Sequence, residues 1–389
     1  MLQFLFLRTF FSLLFKKTLF GTFEAYRQQY HFQHIARSVF PVFWLNTTIS
    51  LTNTITVFLT NGKHYKYIPF LPIRRIISNF ATLYIKTSIY CMKISELFKT
   101  KKTLSFEIFP PKREDETLAL VTDTISKMDA LSPDFISVTY GALGNTLSNT
   151  VGIAKHIKDN TKAQPLAHLT CVSSTKHDID MVLDNLQQNG IENILTLRGD
   201  IPQNITTPLF SDFTHASDLS QYIHTSRPGC FMTAGACYPE MHPQAESMRQ
   251  DIENLKKKQD AGMEFFTTQL FFDNQVFYQF LLAARKAGIT IPIIPGIMPV
   301  TNYNQLDRMI QVTHCAVPLQ LRNYFDLYKN DKAALQEIGI IFTSYQILDL
   351  MAHDVDGIHL YSMNKSTFIT QLMQNIGYVA SRFFAPVQK

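Results

Sequence analysis

Residues 92–389 read as an α/β protein, a (β/α)8 barrel of the TIM type. Short apolar, β-favouring runs alternate there with segments of helical periodicity. Roughly 290 residues carry eight such units, against about 250 for a barrel without insertions. No Gly-x-Gly-x-x-Gly follows the first strand, which argues against a doubly wound dinucleotide-binding sheet. In chain order the strands are expected at 104–109, 135–139, 165–170, 193–197, 231–236, 265–271, 291–296 and 357–361. The helical pattern is clearest over 117–130, 176–189, 245–261 and 275–287. Gly190, Gly262 and Gly288 stand just past the last three, where a helix C-cap needs a left-handed residue.

Residues 1–91 have a different composition. Of 36 basic and 31 acidic residues, ten and one fall here, leaving 26 and 30 in the body. The body is therefore mildly acidic, and the pI of about 8.8 is no argument for nucleic-acid binding. The leader is rich in Phe, Leu, Ile, Tyr and Asn, and its apolar runs are too broken for a clear membrane span. It is expected to be a disordered extension or the product of a start placed upstream of Met92. A targeting or anchoring segment and an extra domain remain alternatives. Cys91, Cys171, Cys230, Cys237 and Cys315 show neither metal-ligand spacing nor a disulfide framework. That pattern suits a reducing, cytoplasmic setting, with no metal site expected.

The chemistry should sit where barrel strands end. The most informative stretch is Ser105-Phe106-Glu107-Ile108-Phe109-Pro110-Pro111-Lys112. It is a buried-strand pattern with an acid in its middle and two prolines that end it. A carboxyl in a core or cleft is desolvated, which favours its protonated form and general-acid work. The bland reading is a core acid satisfied by a neighbouring cation. Polar residues then recur at every later strand end. They are Thr139-Tyr140-Gly141, His168 with Thr170, Arg198-Gly199-Asp200, Tyr238 to Pro243, Gln269, Asn302-Tyr303 and Asn364-Lys365. Taken singly, His168 is more simply a core histidine, His242 a loop residue, and Lys256-Lys257-Lys258 a solvated helix face. Glu107 and Asp200 could divide the labour, one protonated and one charged. A glycosidase would need a second Glu ending a strand. A Schiff-base barrel would need a lysine there, and Lys365 is the only candidate.

Eight of these segments occur in a family's order: Ser-Phe-Glu-Ile-Phe-Pro-Pro-Lys, Ser-Val-Thr-Tyr-Gly-Ala, His-Leu-Thr-Cys, Leu-Arg-Gly-Asp-Ile-Pro, Tyr-Pro-Glu-Met-His-Pro, Gln-Leu-Phe-Phe-Asp, Pro-Gly-Ile-Met-Pro-Val and Leu-Tyr-Ser-Met-Asn-Lys. Together they resemble the methylenetetrahydrofolate reductases of the bacterial, single-domain type, from about Thr103 to the C-terminus. The resemblance implies a barrel with non-covalent FAD. It implies ping-pong transfer of a hydride from NADH or NADPH to 5,10-methylenetetrahydrofolate. The 5-methyltetrahydrofolate formed would serve methionine synthesis. A homo-oligomer is implied, and neither a nucleic-acid nor a membrane partner.

Residue by residue, the resemblance makes Glu107 the general acid and Asp200 the acid beside flavin and folate. It assigns Thr139, His168, Arg198, Gly199, Asp200, Tyr238, His242, Asn254, Lys257 and Lys258 to FAD. Gln269, Tyr303 and Lys365 fall to folate. Tyr303 stands where Phe is usual, which keeps the π-face and adds a hydroxyl. Lys365 stands where Arg is common, which keeps the charge and loses the planar fork. The rival reading from another class is a barrel that has lost catalysis and serves as a binding or scaffold subunit.

Overall fold

The computed structural model describes residues 92–111, 118–140, 146–200 and 212–386. The expectations for residues 1–91, and the ends of some motifs (Lys112, Gly141, Ile201), lie outside them. The elements are α1 Ile94–Leu97, β1 Thr103–Ile108, α2 Leu118–Asp129, β2 Phe135–Val138, α3 Thr146–Asn160, β3 Gln164–Thr170, α4 Lys176–Gln188, β4 Asn193–Leu197, α5 Ala216–Ser226 and β5 Met232–Cys237. They continue with α6 Met248–Asp260, β6 Met263–Thr268, α7 Asn274–Lys286, β7 Ile293–Ile294, β8 Gly296–Ile297, α8 Tyr303–Thr313, α9 Leu319–Leu327, α10 Lys332–Ala352, β9 Gly357–Tyr361 and α11 Ser366–Phe383.

All strand pairs are parallel, and each of β1 to β6 pairs with its successor. β9 then pairs with β1, from Thr103↔Gly357 to Glu107↔Tyr361, and also with β8. β7 and β8 are two halves of one stave. The sequence predicts a single seventh strand, but Pro295 has no N–H and splits it. The ladder survives through the proline's acceptor: His359 N donates to Pro295 O at 3.0 Å. Gly296 follows because a Cβ there would collide with the Thr268 carbonyl and the Tyr361 ring. Nine strand segments thus make eight staves of a (β/α)8 barrel.

Alternation along each strand sorts the core. Leu104, Phe106 and Ile108 of β1 join Val121, Ile125 and Met128 of α2 in the outer layer between staves and helices. Phe135, Leu166, Leu195, Met232, Phe265 and Ile294 point inward and fill the lower barrel. Ile94, Leu97 and Phe98 close this cluster from the end where the strands begin. There Ile94 N donates to Asn193 Oδ1 at 2.9 Å, and Phe98 meets Phe265 with ring centroids 5.2 Å apart. The lower half is therefore apolar and plugged, which leaves the other end for polar work.

Between the last two staves lie three helices, α8 to α10. They build a second core of Met298, Val300, Leu306, Leu321, Phe325 and Leu335, with Leu270 and Phe272. Helix ends follow the expected chemistry. Thr175 and Asp178 form a reciprocal capping box on α4, and Gly190 beyond it has φ +66°. Among the described residues no helix is long and apolar enough to cross a membrane.

Candidate active site

The upper barrel interior holds the acid. Thr103, Ser105 and Glu107 alternate inward along β1, as do Gly357, His359 and Tyr361 along β9, and the register sets them side by side. Ser105 Oγ lies 2.8 Å from His359 Nδ1. His359 Nε2 then lies 4.0 Å from Glu107 Oε2. From β3, His168 Nε2 approaches the same oxygen to 3.7 Å. Glu107, His168 and His359 are all buried. Burial pushes the His168 imidazole down to about 4, against a smaller upward pull from the Glu107 carboxylate. His168 is therefore neutral at pH 7. Among the described residues its Nε2 has no hydrogen-bond partner, nor has Ser137 Oγ on the neighbouring stave. An unpaired buried nitrogen is costly, so this edge suits a bound polar molecule. Tyr361 donates its hydroxyl proton to Thr268 O at 2.6 Å. Burial first, and the Glu107 carboxylate second, keep it a phenol.

A second group forms where β4 and β5 end. Gly199 has φ +89°, and a Cβ there would lie 2.6 Å from Val172 Cγ1. Only glycine lets the backbone between Arg198 and Asp200 turn so tightly. Arg198 Nη1 donates to Gln244 Oε1. Tyr238 and His242 meet edge to face with centroids 4.6 Å apart. Asp251, in the first turn of α6, holds their loop by accepting from His242 N at 2.8 Å. Burial pushes Tyr238 up to about 12, with the Asp200 and Asp251 carboxylates adding to it. The His242 imidazole is lowered, by burial against the pull of Asp251. Half-buried Lys258 donates to Ala236 O at 2.7 Å, and burial lowers its ammonium below the ordinary lysine value. A guanidinium, an ammonium, a glycine turn and aromatic edges suit an anionic, partly aromatic cofactor such as a flavin dinucleotide. Among the described residues no group of three or more His, Cys, Asp or Glu is placed to hold a metal ion.

The other candidates have local partners of their own. Thr139 N extends the β1 edge by donating to Ile108 O at 3.0 Å. Gln269 N donates to Cys237 O at 2.7 Å, and its Oε1 accepts from Leu270 N at 2.9 Å. Lys257 is exposed and donates to Asn254 Oδ1 at 3.1 Å, so those two pair on the helix surface. Tyr303 opens α8. Its hydroxyl donates to Asp326 Oδ1 at 3.0 Å and accepts from Arg322 Nη2 at 2.8 Å. Lys365 is exposed, with Nζ 5.7 Å from the Phe368 ring centroid. Asp200 is exposed at the end of a described segment. His359, Tyr361, Ser362 and Asp251 escape a reading based on strand ends. For His359 and Tyr361 the signal was the period-2 alternation of Gly357-Ile-His-Leu-Tyr361, which puts a His and a Tyr on one face.

Comparison with known proteins identifies the family. The family model described as methylenetetrahydrofolate reductase matches residues 93–377. The chain is 33% identical over 307 residues to "Methylenetetrahydrofolate reductase (NADH) 1" of Arabidopsis thaliana, covering 74% of this chain and 51% of that one. It is 33% identical over 274 residues to "5,10-methylenetetrahydrofolate reductase" of Escherichia coli (strain K12), covering 70% of this chain and 90% of that one. The chain thus spans about half the length of the plant relatives it matches. A solved structure from Clostridium thermocellum, described as binding two copies of 5-methyl-5,6,7,8-tetrahydrofolic acid, shares the fold. It has a TM-score of 0.51 at 14% identity, covering 74% of this chain and 100% of that one. On the extent of the family match and the identity to these relatives, the chain belongs to the methylenetetrahydrofolate reductase family.

Proposed function

We propose that this chain reduces 5,10-methylenetetrahydrofolate to 5-methyltetrahydrofolate, using NADH or NADPH as electron source and a non-covalently held FAD. The observation that carries the reading is Glu107, a carboxyl buried in the upper barrel between two imidazoles, at the open end of the strands. A family relative with NADH in its printed name makes NADH the first donor to try. The chemistry FAD supplies when bound is to accept a hydride from the nicotinamide and deliver it to the folate.

The protein's residues have separate tasks. Arg198 and Lys258 offer positive charge to a diphosphate, and the Gly199 turn lets it approach the backbone. Tyr238 and His242 offer ring edges to the cofactor. Neutral His168 offers its unpaired Nε2 to a polar group without adding charge. Glu107 passes the proton from its carboxyl to a nitrogen of the methylene bridge, which opens the bridge and makes its carbon electrophilic. The apolar plug below closes the lower barrel, so Glu107 meets substrate from the open end only. The methyl product is of the kind that methionine synthesis consumes.

The test is anaerobic. Purified protein is expected to carry a flavin absorbance band that NADH or NADPH bleaches and methylenetetrahydrofolate restores. Protein that takes up no flavin, or reduced protein that the folate cannot reoxidise, refutes the proposal.

A further inference from the structure

The loop after β9 has an unusual backbone. Met363 and Asn364 are successive non-glycine residues with φ +49° and +57°. Each such residue costs about 1 kcal/mol or more, and it persists where its surroundings over-determine it. Here the surroundings are specific. The Asn364 amide takes both backbone groups of one residue: Phe109 N donates to Oδ1 at 3.0 Å, and Nδ2 donates to Phe109 O at 2.9 Å. Asn364 N donates to Ser362 Oγ at 3.1 Å. Buried Ser362 Oγ in turn donates to the carbonyl of Glu107 at 2.5 Å.

This clamp sits where ordinary pairing stops. The β1–β9 register ends at Glu107↔Tyr361. Pro110 and Pro111 follow in β1's chain and have no N–H to continue a ladder. A side-chain amide with one donor and one acceptor replaces the missing neighbour. The backbone is thereby held at the carbonyl of the residue whose carboxyl matters and again two residues beyond it.

We propose that Asn364, acting with Ser362, is a positioning residue for Glu107. The clamp fixes the end of β1 so that the carboxyl meets the folate's methylene bridge in line for proton transfer. This rests on the function proposed above. It concerns only the step that needs a proton, because hydride transfer from the nicotinamide does not involve Glu107.

Asn364→Gly tests it, since glycine keeps the left-handed backbone and removes only the amide. Two measurements are made on full-length protein. Hydrogen exchange over 104–111 is expected to quicken at Phe109 while the other staves keep their protection. Stopped-flow absorbance is expected to show flavin reduction by NADH within twofold of wild type. Reoxidation by methylenetetrahydrofolate should be about 10- to 100-fold slower, the usual result of misplacing a reacting group by about 1 Å. Asn364→Asp keeps the acceptor for Phe109 N and is expected to recover part of that loss. Ser362→Ala is expected to slow the same step. Two results overturn the inference: quicker exchange at Phe109 with both half-reactions intact, or both half-reactions slowed alike in all three variants. Failure of wild-type protein to be reoxidised refutes the proposed function instead, and is recognised because it precedes any substitution.

Discussion

Acid should weaken this barrel through His168. The side chain is 6% exposed, and burial holds its imidazole at about 4 rather than 6.5. Between those two values the unfolded chain binds a proton that the folded chain refuses. Stability therefore falls as the pH drops from 6.5 towards 4, and this contribution is complete above 6.5. At about 1.4 kcal/mol per pH unit, the full effect is about 3 kcal/mol, of which about 2 kcal/mol is lost by pH 5. Urea unfolding followed by far-ultraviolet circular dichroism at pH 7 and pH 5 reads the loss in wild type and in His168→Gln. Glutamine fills much of the same space and cannot take up the proton. Lowered carboxyls such as Asp178 and Asp349 act in both proteins and cancel in the comparison. Running both with and without excess FAD separates any ligand contribution. Wild type is expected to lose about 2 kcal/mol more than the variant. Equal losses would refute the argument, because His168 would then be charging as readily in the fold as outside it.

Four further substitutions probe the site. Glu107→Gln keeps shape and hydrogen bonding without acidity. It should bleach normally with nicotinamide yet be reoxidised by methylenetetrahydrofolate about 10²–10⁴-fold more slowly, by stopped-flow absorbance. Gly199→Ala forces a side chain onto Val172 at φ +89°, and should lower stability by about 1–3 kcal/mol in chemical denaturation. Lys258→Met removes the half-buried ammonium from Ala236 O, and should weaken FAD binding by about 1–3 kcal/mol in fluorescence titration. Lys257→Ala should cost less, since that ammonium is exposed and already bonded to Asn254.

What the sequence made legible was local. Apolar runs and glycine punctuation located the staves, because strand burial and helix C-caps act over a few residues. Glu107 stood out because an acid inside a buried strand is rare. The split at Pro295 was also local, but a proline in an apolar run reads equally well as a strand end. The three helices between β8 and β9 were missed because they bury their faces on a core of their own, built with Leu270 and Phe272. His359 and Ser362 were missed for another reason. Their meaning depends on which residue of β1 they face, and register between distant strands has no short-range signature. Tyr303 was read as a ring, whereas its hydroxyl bonds to Asp326 and Arg322 on a helix the sequence reading did not contain.

The pairing of β1 with β9 has a consequence for how the protein is made. Ser105 and His359 are 254 positions apart, yet they share a hydrogen bond in the finished barrel. The acid leaves the ribosome early, and the partners that bracket and clamp it leave near the end. A half-made chain therefore holds Glu107 on an open edge, with neither His359 beside it nor Asn364 behind it. Competence arrives in one step with the last stave. Clipping the chain before residue 357 would remove that step while leaving six consecutive staves, β1 to β6, in register. A nicked or stalled product would then keep much of its secondary structure and lose the setting of Glu107.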